Sequence, residues 1–183
     1  MKIQQLEIDG VWKITSKFQV DDRGGFREWF KYSTISEQIN RKFAVAQANS
    51  SYSHKGVIRG IHYSKSPNGQ GKWVTCTSGS IWDVVVDIRP KSSTFMKWVG
   101  IELSALSGDS IYISEGLGHA FMALEEESTI VYLLSSPYSP LEEHAINPLD
   151  TDLGITWPLI PNFMSTKDAI APSIKELLER GEL

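Results

Sequence analysis

One cysteine among 183 residues, Cys76, excludes an internal disulfide framework and any zinc site built from clustered thiolates. The four histidines, His54, His62, His119 and His144, include no HxH or HxxxH pair, so the ligand pattern of a metalloenzyme is missing too. No apolar run approaches the length that spans a bilayer, and the opening MKIQQLEIDG lacks the apolar stretch of a signal peptide. A soluble, cytoplasmic protein without membrane contact is expected. Neither sign of charge dominates: 18 Lys and Arg stand against 22 Asp and Glu, a net charge of -4, which gives no general attraction to nucleic acid. Internal repeats and low-complexity tracts are absent. Apolar residues are plentiful, 41% of the chain, enough for one large core, and a single domain over residues 1–183 is expected.

Strand signals dominate. In IWDVVVDI, Trp82, Val84, Val86 and Ile88 fall on one face and Ile81, Asp83, Val85 and Asp87 on the other. FMKWVGIEL (95–103), STIVYLL (128–134), KWVTCT (72–77), DSIYIS (109–114) and HAFMAL (119–124) share the β-branched and aromatic enrichment. Turn signals separate them: Ser66-Pro67-Asn68-Gly69, Ser78-Gly79, Arg89-Pro90, Ser107-Gly108-Asp109 and Gly116-Leu117-Gly118. This spacing predicts an all-β, antiparallel sandwich or barrel. Helices are expected only as short peripheral pieces, over STISEQINRKF (33–43) and in the tail PSIKELLERGEL, with Gly181 as a stop. The proline-rich stretch from 137 to 172 reads as irregular.

Few residues depart from this apolar pattern. GVIRGIHYS (56–64) sets Arg59 and His62 three residues apart in an apolar strand, on opposite faces by parity. A bulge at Gly60 would turn both toward one cavity. The plain alternative is a satisfied core histidine beside a surface arginine, although arginine is seldom buried without an anion to meet. Lys72 shares a face with Val74 and Cys76, so an interior face would carry an ammonium group that needs a reason to be there. Tyr132 sits mid-strand, where a core tyrosine is the ordinary reading. Asp168 in MSTKDAI has a helix cap as its ordinary role. DDRGGFRE (21–28) reads as a charged hairpin turned by Gly24-Gly25.

One reaction uses such a set without metal or cofactor: proton abstraction from the carbon next to a ketone. It needs a base of near-neutral pKa, a cation at the enolate oxygen, and an acid on the opposite face. Histidine, lysine and tyrosine supply these, a carboxylate holds the histidine, and arginines clamp a diphosphate.

The chain resembles the dTDP-4-dehydrorhamnose 3,5-epimerase family, nucleotide-sugar epimerases of cupin-like jelly-roll fold. The likeness runs from about Phe18 to Pro172, through DDRGGFRE, QANSSYSHKGVIRGIHYS, GKWVTCTSG, DVVVDIR, GLGHAF, VYLLSSPYSP, LGITWP and STKD in that order. It implies His62 as base, Asp168 as its partner, Lys72 near the keto oxygen and Tyr132 as the opposite acid. It further implies substrate or phosphate contacts for Arg59 and His119, pocket roles for Gln47 and Asn49, and a border of base and sugar at Tyr138 and Glu143. Lys167 would lie beside the substrate, while Arg23, Phe26 and Glu28 would reach the nucleotide bound by a neighbouring subunit. The resemblance implies no metal and no cofactor, and a homodimer to which the strands of residues 1–50 contribute. Three departures, Ser64 after His62-Tyr63, Leu133 after Tyr132 and the order Gly118-His119-Ala120-Phe121, resemble the branch that inverts one carbon only. The expected activity is epimerisation of a nucleotide-linked, dTDP-type 4-keto-6-deoxyhexose at C5, C3 or both. The alternatives are a sugar-nucleotide 3,4-ketoisomerase and a non-catalytic cupin that binds a nucleotide sugar. A metal-dependent cupin oxygenase ranks behind them.

Overall fold

The computed structural model describes residues 1–65 and 69–183, and the backbone alone at Ile35. In chain order the elements are β1 (Lys2–Gln5), β2 (Val11–Thr15), β3 (Gln19–Asp21), β4 (Gly24–Phe26), α1 (Tyr32–Gln38), β5 (Gln47–Ser53), β6 (Ile58–Ser64) and β7 (Lys72–Ser78). They continue with β8 (Ser80–Asp87), β9 (Trp98–Ser104), β10 (Ser110–Ile113), β11 (Leu117–Ala123), β12 (Ser128–Leu134), β13 (Glu143–Ala145), α2 (Thr166–Ala169) and α3 (Ile174–Glu179). One sheet has the order β1-β2-β10-β7-β12-β5, the other β13-β6-β11-β8-β9, and β3-β4 form a separate hairpin. Neighbouring strands pair antiparallel throughout these sheets. The expected β-sandwich with peripheral helices is the fold found.

Alternating side chains explain how the sheets are sealed. Val74, Cys76, Ile111, Ile113 and Ile130 from the first sheet meet Ile81, Val85, Leu103, Leu117 and Phe121 from the second. The outer face of the second sheet is covered too: Ile61, Val84, Val86 and Ala120 pack under Ile146, Leu153, Ile174 and Leu177. On the first sheet's outer face, Trp12, Ile14, Trp73 and Tyr112 are covered by Ile39 and Phe43, with Phe30 set edge-on to Trp73 at 5.4 Å. Hence both sides of β8 are buried, which its run of valines anticipates; burying each such side chain is worth about 1.5–3 kcal/mol. Among the described residues no helix is long and apolar enough to cross a membrane.

Several boundaries differ from the sequence reading. The hairpin turns at Asp22-Arg23, because Asp21 pairs with Gly24 and Val20 with Gly25; the two glycines belong to β4. The Asp21 carboxylate accepts the Arg23 backbone N–H at 2.9 Å and so builds that turn from a side chain, while Gly24 takes the φ of +123° that follows it. Leu117 and Gly118 lie within β11. β9 starts at Trp98, after a turn in which Met96 has a positive φ, so Phe95–Lys97 precede it. Helix α1 stops at Gln38, and Asn40 in a left-handed conformation turns the chain so that Phe43 is buried. The stretch from 137 to 172 holds β13 and α2, and so is only partly irregular. The turn expected at Ser66-Pro67-Asn68 lies outside the described residues. Ser173 caps α3 in a reciprocal pair with Glu176.

At the end of β8, the enclosed Asp87 carboxylate accepts from Arg89 Nε at 2.8 Å and Nη2 at 2.7 Å, from Ser92 Oγ at 2.6 Å, and from Thr94 Oγ1. Arg89 also donates to the carbonyl of Asp9 at 3.0 Å, so this cluster ties the β8–β9 loop to the β1–β2 turn. Burial alone raises the Asp87 pKa, but the bonds from Arg89, Ser92 and Thr94 outweigh it and hold the carboxyl well below the usual carboxylate range. Stability from a depressed carboxyl is present in full above its unfolded pKa of about 4 and is lost as pH falls below it. Asp87→Ala should therefore lower unfolding stability by ~3 kcal/mol at neutral pH. Denaturant titrations should show a constant gap to wild type from about pH 8 to about pH 5 that narrows progressively as pH falls below about 4; a gap that does not narrow in acid would contradict the assignment.

Candidate active site

Between the sheets, at the end where β7 begins and β12 finishes, lies a cavity of about 670 Å³ lined from both sheets and from α2. Its central feature is the strand the sequence singled out. His119 pairs with His62 and Phe121 with Arg59, so Ala120 stands against both Gly60 and Ile61, which is a β-bulge. Gly60 has φ +106°, and a Cβ there would lie 2.5 Å from the His119 carbonyl oxygen. Glycine is thus required, and the bulge turns Arg59 and His62 to the same cavity as anticipated.

Asp168 arrives from the other end of the chain. Ser165 caps α2 by accepting the Asp168 N–H at 3.1 Å, and this short turn aims the buried Asp168 carboxylate at β6. There Oδ1 lies 2.7 Å from His62 Nε2 and Oδ2 accepts the Gly60 N–H at 3.3 Å. Burial pushes the Asp168 pKa up, but His62, the Gly60 N–H and the Ser165 side chain prevail and hold it below the ordinary value. An ionised carboxylate only accepts, so Nε2 carries the ring hydrogen and Nδ1 keeps its lone pair. Glu143 Oε1, at 3.9 Å, is too far to bond Nδ1, which leaves that nitrogen for a ligand.

Opposite, on the first sheet, Lys72 and Tyr132 line the cavity. Burial lowers the Lys72 pKa, with Glu143 and Asp83 acting against it. A poorly hydrated ammonium is a strong donor to a developing oxyanion. Asn49, Arg59, His119, Tyr138, Glu143 and Lys167 are also on the lining. Arg59 sits at the rim, held by Ser53 Oγ at 2.9 Å and the Tyr52 carbonyl at 3.0 Å. His119 is buried deep beside His62, its Nε2 2.8 Å from Asp83 Oδ2. Gln47 stands one step back: its amide N–H donates to Asn49 Oδ1 at 2.8 Å and its Oε1 accepts the Tyr138 N–H at 2.8 Å, so it braces two lining residues.

Arg23, Phe26 and Glu28 are not brought to the cavity of their own chain. Arg23 and Phe26 are exposed on the β3–β4 hairpin, where Arg23 pairs with Asp21 at 2.6 Å. Sequence reasoning had no hold on Phe121, Phe163, Ser165 or His54. Asp83 did leave a signal, a carboxylate at an inward parity position in IWDVVVDI, but only its alternation was read. Among the described residues no three His, Cys, Asp or Glu side chains converge as a metal site.

The family model described as dTDP-4-dehydrorhamnose 3,5-epimerase matches residues 5–176. The chain belongs to this family. It is 47% identical, over 184 aligned positions covering 100% of this chain and 90% of the relative, to the dTDP-4-dehydrorhamnose 3,5-epimerase of Mycolicibacterium smegmatis. The solved epimerase of Mycobacterium tuberculosis superposes with a TM-score of 0.97 at 42% identity, covering 100% of this chain and 93% of that one. A 3'-monoepimerase from Streptomyces bikiniensis, solved in complex with dTDP-quinovose, superposes with a TM-score of 0.94 at 41% identity over 97% of this chain and 90% of its own.

Gly60→Ala should cost at least ~2 kcal/mol, since no L side chain fits that φ and the carbonyl of His119 blocks the Cβ. Substrate turnover should fall further than stability, as His62 and Arg59 are re-aimed. Chemical denaturation with a parallel activity assay checks this, and an unperturbed variant would show that the bulge is not required.

Proposed function

We propose that this protein epimerises a dTDP-linked 4-keto-6-deoxyhexose at C5, C3 or both, through an enolate. The observation that carries this is the His62–Asp168 pair, with Nδ1 unbonded among the described residues, facing Tyr132 and the buried Lys72 across one cavity. His62 Nδ1 takes the proton α to the ketone, and the Asp168 charge stabilises the imidazolium that forms. The Lys72 ammonium donates to the oxygen as it gains negative charge. Tyr132 then delivers a proton to the other face of the same carbon, which inverts it, and proton exchange with solvent resets both groups.

Arg59 and Lys167 suit the diphosphate, and Tyr138 offers a face for the base. A homodimer accords with the exposed Val20 and Phe26 of the β3–β4 hairpin, from which Arg23, Phe26 and Glu28 would reach a second copy's nucleotide. A cytoplasmic location goes with a nucleotide-activated substrate. His119, deep and beside His62, is better placed for the sugar than for the phosphates.

Incubation with dTDP-4-keto-6-deoxyglucose in heavy water should bring deuterium into C5, C3 or both. His62→Ala should slow this by roughly 100- to 10,000-fold. Lys72→Met should cost about 100- to 1,000-fold in kcat. Tyr132→Phe should keep exchange while product formation drops. Product NMR separates a 3-keto isomer, and ligand-induced thermal stabilisation without any exchange would replace the enzyme with a binding protein.

A further inference from the structure

The epimerase reading uses one His–Asp pair; the cavity wall holds a second. His119 is the direct cross-strand partner of His62, so the two rings stand on neighbouring strands of the same sheet. Its Nε2 lies 2.8 Å from Asp83 Oδ2, and the Asp83 side chain has no exposed surface. Asp83 Oδ1 is buried with no hydrogen-bond partner among the described residues. A carboxylate left half satisfied inside a valine-rich strand costs stability, so stability does not account for it.

Its effect on His119 is chemical. An ionised carboxylate can only accept, so it draws the ring hydrogen onto Nε2 and leaves Nδ1 with a lone pair. The surrounding charges agree: Lys72 of β7 and Arg59 of β6 already supply cations to this lining, and Glu143 of β13 and Asp168 of α2 face it as anions. Donors for oxygen acceptors are thus in place. His119 Nδ1 adds a neutral acceptor on the strand beside His62, where the other acceptors of the lining include the charged Glu143 and Asp168 and the Asn49 amide.

We propose that Asp83 is a positioning residue that fixes His119 as a hydrogen-bond acceptor for a hydroxyl group of the sugar, on a carbon close to the one His62 deprotonates. This makes the pair a specificity determinant. A site built to accept from a hydroxyl rejects the analogue that lacks it, because the acceptor is then left buried and unpaired. Asparagine at position 83 removes that control, since its amide N–H can donate to Nε2 and move the ring hydrogen to Nδ1.

The inference rests on the epimerase reading, and the experiment separates their failures. Deuterium wash-in at C5 and at C3 is measured for dTDP-4-keto-6-deoxyglucose and for its 2-deoxy and 3-deoxy analogues. Wild type should disfavour one analogue by at least about tenfold in kcat/KM. Asp83→Asn should narrow that ratio to within about threefold, chiefly by slowing the hydroxylated substrate, while Asp83→Glu, which keeps the acceptor, should restore part of it. Equal handling of the three sugars by wild type, or undiminished discrimination in folded Asp83→Asn, overturns the proposal. Absence of any wild-type exchange strikes the epimerase reading instead. Nitrogen-15 NMR of the His119 ring then decides this inference alone, and does so too should the variants fail to fold. Hydrogen on Nε2 with a lone pair on Nδ1 supports it, and hydrogen on Nδ1 overturns it.

Discussion

The proposed reactive centre depends on a contact between residues 106 positions apart, the Asp168 carboxylate and the His62 imidazole. α2 has four residues, too short to hold itself in water, so its place comes from its surroundings. Those surroundings are a segment that runs along β6. Ile146 exchanges backbone hydrogen bonds with Ile61, the Phe163 carbonyl accepts from Ile58, and Asn162 donates to the Gly56 carbonyl. The same stretch buries Ile146 and Leu153 on the outer face of the second sheet. Hydrophobic burial on the outside of the sheet thereby delivers a charged group to its inside edge, where the bulge at Gly60 receives it.

The two faces of each strand divide the labour. Along the inner face of β7 the side chains run Lys72, Val74, Cys76, from ammonium to hydrocarbon within one strand. The hydrocarbon end closes the sandwich and excludes water; the other end is left polar and borders the cavity. An ammonium group kept there is poorly hydrated, and the nearby charges of Glu143 and Asp83 make its retention tolerable. Such a group is useful to an anion that forms only during reaction, which is what an enolate is.

Much of this was legible in the chain. Alternation in IWDVVVDI, STIVYLL and KWVTCT located strands, and the glycine inside GVIRGIHYS signalled the bulge, since strand parity alone would have split Arg59 from His62. Punctuation was less legible. Gly24-Gly25 looks like a turn, yet a carboxylate at Asp21 turned the chain two residues earlier. Ile39 continues a helical spacing, yet Asn40 ends it because Phe43 has an aromatic cluster to enter. Gln47 was read as a pocket residue, but it acts at one remove, through Asn49 and Tyr138, and no spacing rule reports such an indirect contact.

The amino-acid order by itself determined the alternation that makes a two-sheet sandwich, the shortage of helix, and the stock of one imidazole base, one inward lysine and one mid-strand tyrosine. These follow from local periodicity and side-chain chemistry, which act over a few residues. The pairing of Asp168 with His62 was implied by the family likeness and by no local pattern; only the tertiary structure decided that Asp83 meets His119 and which ring nitrogen of each histidine faces its carboxylate. Those are contacts between distant segments, set by register and by the burial of other residues, and nothing within a short window of sequence encodes them.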